Sequence, residues 1–70
     1  MEMQSVSSSN LVAIGYDYDT ATLRIEFLKS GLYEYYGVSA DVYEGLLNAS
    51  SKGIYFDQSI KRAGYSYSRV

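Results

Sequence analysis

Seventy residues suffice for one small domain, and a chain of this length buries only about 60% of the surface that its unfolded form exposes. Six basic residues against eight acidic ones give a net charge of −2, whereas proteins that grip a long polyphosphate backbone are usually basic. Cysteine and histidine are absent, which excludes disulfides, thiolate or imidazole metal sites, and nucleophilic catalysis by a Ser–His or Cys–His pair.

The N-terminal part of the chain predicts a polar leader followed by a strand. Residues 1–10 are polar and serine-rich, which is typical of a loose segment that ends in a turn. Residues 11–18 then alternate in a way that favours a first strand. The side chains predicted to share its inner face are Val12, Ile14, Tyr16 and Tyr18.

Two further strands are predicted directly downstream. Residues 22–27 alternate apolar with charged side chains, so one face meets a core and the other meets water. A short turn containing glycine, at residues 29–31, leads to a third strand at residues 32–36. Tyr33 and Tyr35 lie on the same face of that strand because side chains alternate along it. Three consecutive strands with short turns predict an antiparallel meander.

After residue 38 the spacing of the apolar residues changes to that of a helix. Ser39 is a favourable N-cap and Asp41 lies in the first turn, where a negative charge suits the helix dipole. Gly45 either weakens this helix or lets another element pack close to it. Residues 50–53 end the helix, and a second short helix or turn is predicted at residues 54–60.

These elements predict an α+β fold: a three-stranded antiparallel β-meander followed by one or two short helices packed on one face. The domain is expected to span residues 11–62, with residues 1–10 as a polar leader. Residues 63–70 alternate tyrosine with serine. This tail is either a loose end or an extra strand, and as a strand it could exchange between subunits.

A series of short motifs in a fixed order carries a family resemblance over most of the chain. The residues that carry it in the second half are Gly31, Tyr33-Glu34-Tyr35, Val38, Val42-Tyr43, Leu46, Ala49, Ser51, Gly53, Tyr55-Phe56 and Ile60-Lys61. In the first half the motifs are residues 8–11 and 14–17 and the apolar positions of the second strand. The sequence resembles the KTSC domain, named after an appendage at the C-terminus of some lysyl-tRNA synthetases.

The resemblance implies a small module whose hallmark is the Tyr33–Tyr35 pair. Because some lysyl-tRNA synthetases carry this module, the resemblance also suggests RNA binding. Two positions depart from the family pattern. Ser39 stands where proline is common, and serine should still cap the helix. Asp57 stands where asparagine is common, which places a negative charge beside an aromatic pair.

Two groups of aromatic and basic residues are candidates for ligand binding. Tyr33 and Tyr35 either pack under the helix or form a platform on which a flat ligand stacks. A second group follows them in the chain and combines an aromatic pair with two adjacent basic residues, which could contact a phosphate or nucleotide. Its members are Tyr55, Phe56, Lys61 and Arg62. The alternative for this group is a solvated basic helix end.

Ser9 and Asn10 form a third candidate. They either make a turn that satisfies strand ends or reach a nucleotide beside a neighbouring subunit. No pair of carboxylates has the placement of an acid–base site, because the acidic residues are scattered over turns and solvent faces.

The sequence therefore predicts a non-enzymatic binding module for a nucleotide-type ligand, with no cofactor and no metal. We expect a cytoplasmic homo-oligomer that binds a small nucleotide, of the kind that phages use to sequester immune signals. The alternatives are an RNA-binding accessory domain and a protein–protein adaptor whose tyrosines anchor an interface. No apolar run approaches the ~20 residues of a membrane span.

Overall fold

The computed structural model describes residues 2–70 and contains one antiparallel sheet with helices on one face. The five strands follow their chain order across the sheet, so each strand pairs with its sequence neighbour. The elements are β1 (Met3–Ser5), β2 (Leu11–Asp17), β3 (Thr22–Phe27), β4 (Gly31–Tyr36), α1 (Ala40–Asn48), α2 (Lys52–Phe56), a π-helical turn (Asp57–Lys61) and β5 (Tyr67–Arg69). Within the described part of the chain, no helix is long and apolar enough to cross a membrane.

The predicted α+β class and the meander are confirmed, but the sheet has five strands where three were expected. β1 lies in the segment interpreted as a loose leader, and β5 lies in the tail and pairs with β4 of its own chain. Both strands have only three residues: β1 shows no alternation to detect, and the tyrosine–serine alternation of the tail allowed β5 only as an alternative to a loose end. The unpaired backbone groups at the two edges of the meander provide their hydrogen-bonding partners.

The start of β2 departs from the predicted alternation. Leu11 pairs with Phe27 of β3 while Ala13 pairs with Glu26, so Val12 is an extra residue in a β-bulge. The bulge turns Leu11 into the core, where it is 2% exposed. The prediction that Val12 lies on the inner face is therefore wrong, because a period of two does not persist through a bulge.

The core lies between the inner face of the sheet and the helical layer. β3 contributes Leu23 and Ile25, as its alternation predicted. The helical layer contributes Leu46 of α1 and Ile60 of the π-helical turn, and all four side chains are almost completely buried. The predicted inner surface of the second strand is thus confirmed, and it is the surface on which the helices rest.

Serine side chains begin both helices. The Ser39 hydroxyl accepts a hydrogen bond from the Val42 N–H at 3.4 Å, which confirms the predicted cap of α1. The Ser51 hydroxyl accepts from the Ile54 N–H at 3.4 Å and caps α2 in the same way. The predicted second helical segment exists, and its last turn is π-helical.

Gly45 allows α2 to pack directly against α1. The Tyr55 side chain lies against this glycine, and its hydroxyl donates a hydrogen bond to the Val42 carbonyl oxygen at 3.1 Å. A Cβ at position 45 would lie 2.7 Å from the Tyr55 Cζ atom, which is closer than real contacts allow. Close packing is therefore the reason for a glycine inside this helix.

A candidate ligand-binding groove

Aromatic side chains from the sheet and the helical layer enclose a groove of about 360 Å³, which we call the aromatic groove. It runs along β4 and β5 beneath the π-helical turn. Its lining residues are Phe27, Ser30, Tyr33, Tyr35, Phe56, Ile60, Lys61, Gly64, Tyr65 and Tyr67. The volume lies in the range of small-ligand sites, which are concave, mostly apolar and equipped with a few polar groups.

Five aromatic rings of this lining form a closed circuit. The ring centroids of neighbouring members lie between 5.0 and 6.2 Å apart. In order around the circuit, the members are Phe27, Tyr33, Tyr67, Tyr35 and Phe56. The contacts are edge-to-face or tilted, and the ring that a flat ligand can reach most readily is the exposed Tyr67, since Tyr35 and Phe56 are buried.

Tyr35 and Tyr67 differ in their roles within the circuit. Tyr35 is 7% exposed and forms the floor, whereas Tyr67 is 62% exposed and forms an outer wall. Burial raises the pKa of Tyr35 to about 12, and the neighbouring Tyr67 and Tyr33 add to this shift. Within residues 2–70 the Tyr35 hydroxyl makes no hydrogen bond, so a protonated hydroxyl is available to a ligand at neutral pH.

The π-helical turn brings a cation to the aromatic circuit. The Arg62 N–H donates to the Asp57 carbonyl oxygen at 3.2 Å, a bond that spans five residues. This wider turn lets a residue five positions along return towards the same face of the helix. Phe56 and Lys61 are five positions apart, and both line the groove.

The basic side chains of the protein divide into engaged and unengaged groups. The structure has two ion pairs within residues 2–70: Arg24 Nε lies 2.9 Å from Glu34 Oε2, and Arg62 Nε lies 3.2 Å from Asp57 Oδ2. Lys52 donates to the Ala49 carbonyl oxygen at 3.1 Å.

The remaining three basic residues, Lys29, Lys61 and Arg69, form neither an ion pair nor a hydrogen bond in that part of the chain. All three surround the aromatic end of the sheet. Lys61 lines the groove, Lys29 follows Phe27 into the β3–β4 turn, and the Arg69 guanidinium lies over Gly31 at the end of that turn. Within residues 2–70, a protein of net charge −2 thus places one of its unengaged cations, Lys61, in the groove lining and the other two at the β3–β4 turn.

A second, more polar groove adjoins the first. It shares Phe27, Ser30, Phe56 and Lys61 with the aromatic groove and continues to the loop between β1 and β2. Ser9 and Asn10 of that loop line it together with Lys29. Asn10 approaches α2 closely because Gly53 has no side chain: a Cβ there would lie 3.2 Å from the Asn10 amide nitrogen.

Six of the eight predicted site residues therefore lie on two adjoining grooves. Tyr33, Tyr35, Phe56 and Lys61 line the aromatic groove, and Ser9 and Asn10 line its polar continuation.

Tyr55 and Arg62 have other positions. Tyr55 packs on α1 at Gly45, and Arg62 lies outside both linings, although its partner Asp57 lines the polar groove. Tyr65 and Tyr67 line the aromatic groove, although the alternation of the tail alone gave them no site role. The signal for them was the surplus of tyrosine itself, nine in the chain. Within residues 2–70, no group of three or more acidic side chains is placed to hold a metal ion.

The fold and the Tyr33–Tyr35 pair of β4 point to one class of protein. The chain belongs to the KTSC domain family, whose model matches residues 7–68. A crystal structure of a KTSC domain protein from Yersinia pestis superposes with a TM-score of 0.95 at 38% identity, over 99% of this chain and 96% of that one. A protein of Stutzerimonas stutzeri is 37% identical over 70 residues, which are all of this chain and 99% of that one.

A lysine–tRNA ligase of Nostoc punctiforme matches at 48% identity over 46 residues, or 66% of this chain. That match spans 8% of the ligase. A lysine–tRNA ligase of another Nostoc strain matches at 45% identity over 53 residues, or 9% of its length. In these ligases the similarity is thus confined to a small segment of a much larger protein.

Proposed function

We propose that this KTSC domain is a non-enzymatic binding module for nucleotide units, with the base held in the aromatic groove and the phosphate beside Lys61. The observation that carries the proposal is the five-ring circuit with an unengaged cation at its rim. A nucleotide combines a flat aromatic base with an adjacent negative charge. The groove offers aromatic rings for the base and an adjacent cation for the phosphate.

The aromatic part of the argument rests on exposure and ring geometry. Tyr67 presents most of its ring to solvent, and Tyr33 lies beside it with a centroid separation of 6.2 Å. A base that stacks on an aromatic side chain gains ~1–3 kcal/mol in single-strand binders. The Tyr35 hydroxyl at the floor adds a neutral donor to the edge of such a base.

The anionic part of the argument rests on charge placement. Lys61 and Lys29 face the grooves, whereas Asp57, the acidic residue in their combined lining, is engaged by Arg62. A nucleotide with one or two phosphates needs only a few cations. The net charge of −2 therefore favours a small nucleotide over a long polyanion.

RNA is the second candidate ligand, and one observation favours it: segments similar to this chain occur in ligases whose name states that they act on tRNA. The polar groove extends the aromatic one towards Asn10, which offers a path for a second nucleotide. The two ligand classes differ in salt dependence, because each phosphate contact adds to the slope of log K against log salt.

The test is a titration with three probes: adenosine monophosphate, the dinucleotide pApA and a ~8-nucleotide oligoadenylate RNA. We expect the dinucleotide to bind, and Lys61→Ala to weaken that binding about tenfold. Arg24→Ala is the matched control, because Arg24 lies outside both groove linings and pairs with Glu34 on the opposite face of the sheet, and it should leave the affinity unchanged. A steep salt slope seen only with the RNA would shift the assignment to RNA.

A second variant pair tests the stacking wall. Tyr67→Ala should weaken binding roughly 5- to 150-fold, the equivalent of one stacked base. Tyr18→Ala is its control, because Tyr18 is 64% exposed, close to the value for Tyr67, and belongs to a separate aromatic cluster with Tyr16 and Tyr43. If none of the three probes binds, or if both tyrosine variants behave alike, the proposal fails.

A further inference from the structure

The β5 edge of the sheet presents unpaired backbone groups in a regular pattern. The Tyr36 N–H donates to the Ser66 carbonyl oxygen at 2.9 Å, and the Val70 N–H donates to the Leu32 carbonyl oxygen at 2.8 Å. Hydrogen-bonded and non-hydrogen-bonded pairs alternate along an antiparallel ladder. Ser66, Ser68 and Val70 therefore direct their backbone groups to β4, and the N–H and C=O groups of Tyr67 and Arg69 point outwards.

We propose that this edge pairs with the same edge of a second copy of the chain, forming a ten-stranded sheet across a two-fold axis at Ser68. In that register Tyr67 stands opposite Arg69 of the partner subunit, and the reverse pair is related by symmetry. Each of the two pairs exchanges two backbone hydrogen bonds, so four outward groups on each strand become satisfied.

The side chains are complementary in the same register. Tyr67 pairs with Tyr35 and Arg69 pairs with Tyr33 across the β4–β5 ladder, so both side chains lie on the inner face. An axis normal to the sheet keeps the inner faces of both copies on the same side. A guanidinium thereby comes beside the exposed ring of Tyr67, which is the arrangement of a cation–π contact.

The pairing also affects the aromatic groove. Tyr67 is its outer wall, and Arg69 of the partner subunit would add a cation at that wall. This contribution to ligand binding rests on the proposed function, but the association itself does not depend on any ligand.

The opposite edge of the sheet lacks this complementarity. On β1 the Val6 N–H donates to the Val12 carbonyl oxygen, which fixes the hydrogen-bonding pattern of the β1–β2 ladder. In that pattern the backbone N–H and C=O groups of Met3 and Ser5 point away from β2. Self-pairing there would place Met3 opposite Ser5, with neither charge nor aromatic attraction. A mixed pair of β5 with β1 would leave a free edge at each end and build an open filament, whereas β5 with β5 closes as a dimer.

Sedimentation velocity across a concentration series tests the proposal. The wild-type chain of 7.8 kDa should sediment as a species of twice that mass. Arg69→Pro removes an outward N–H while keeping every bond to β4, and we expect it to raise the dimer dissociation constant about 100-fold. Arg69→Ala removes only the cation and should raise it roughly 2- to 30-fold.

Ser5→Pro is the matched control, because it removes an outward N–H at the other edge and should leave the dimer intact. Circular dichroism of each variant verifies that the sheet persists. A wild-type chain that stays monomeric at ~1 mM would overturn the proposal, as would an Arg69→Pro protein that dimerises like the wild type. Lys61 lies outside the proposed interface, so the Lys61→Ala titration reports on ligand binding whatever the outcome here.

Discussion

Substituting Gly45 by alanine provides a strict test of how the two helices pack. In an exposed helix interior, alanine is more favourable than glycine by about 1 kcal/mol. At position 45, however, the new Cβ would lie 2.7 Å from the Tyr55 Cζ atom and closer still to its hydroxyl oxygen. The Tyr55 ring belongs to α2 and cannot stay in place beside such a group.

The size of the effect follows from what the ring must give up. Overpacking in a well-packed site costs ~1–3 kcal/mol, and the hydrogen bond from Tyr55 to the Val42 carbonyl oxygen contributes ~0.5–1.5 kcal/mol. After the helix-propensity gain is subtracted, Gly45→Ala should lower the free energy of unfolding by about 2 kcal/mol. For a domain of this size, that corresponds to a fall in Tm of roughly 8–16 °C.

The assay is urea and thermal unfolding of a double-mutant cycle. Tyr55→Leu removes the ring atoms that obstruct the new Cβ while keeping an apolar side chain. In that background Gly45→Ala should become stabilising by about 1 kcal/mol, so the sign reverses. A stabilising Gly45→Ala in the wild-type background, or the same effect in both backgrounds, would refute this explanation of the glycine.

Two further predictions concern capping and pH. Ser39→Ala should lower the free energy of unfolding by about 1 kcal/mol because the N-cap bond of α1 is lost, whereas Ser50→Ala, which removes no cap, should change it little. Urea unfolding of both variants measures the difference. Because burial raises the pKa of Tyr35 to about 12 from 10.0, the folded state retains this proton more tightly than the unfolded state, and stability present below pH 10 is lost as the pH rises towards 12. For Tyr35 the loss is at most roughly 3 kcal/mol. Burial also raises the pKa of Tyr16 and Tyr43, which adds a loss of the same sign. A free energy of unfolding that stays constant between pH 10 and 12 would contradict the assignment.

The long elements were predictable because each repeats its period several times. β3 places Leu23 and Ile25 on the core side as its alternation required, and Ser39 caps α1 as its position required. β1 was missed because a three-residue strand has too few side chains to show a period, and the tyrosine–serine alternation of the tail left β5 as one of two alternatives. Their pairing depends on free edges that exist only once the meander has formed.

The site was predictable only in part, for a related reason. The Tyr33–Tyr35 pair is local to one strand, and the sequence alone indicated it. Tyr67 joins them through the register of β4 with β5, in which it stands opposite Tyr35, and no local pattern encodes that register. Tyr55 was grouped with Phe56 because they are adjacent, yet neighbours on a helix point in different directions, and Tyr55 packs on Gly45 instead.

The most direct test of nucleotide binding by the aromatic groove is an NMR titration of the protein with pApA, following the tyrosine ring resonances. Stacking of a base should shift the rings of Tyr33 and Tyr67 and the amide of Lys61 in a saturable way, while the rings of Tyr18 and Tyr43 stay unchanged. Absence of shifts at saturating dinucleotide, or shifts centred on Tyr18 and Tyr43, would contradict the proposed function.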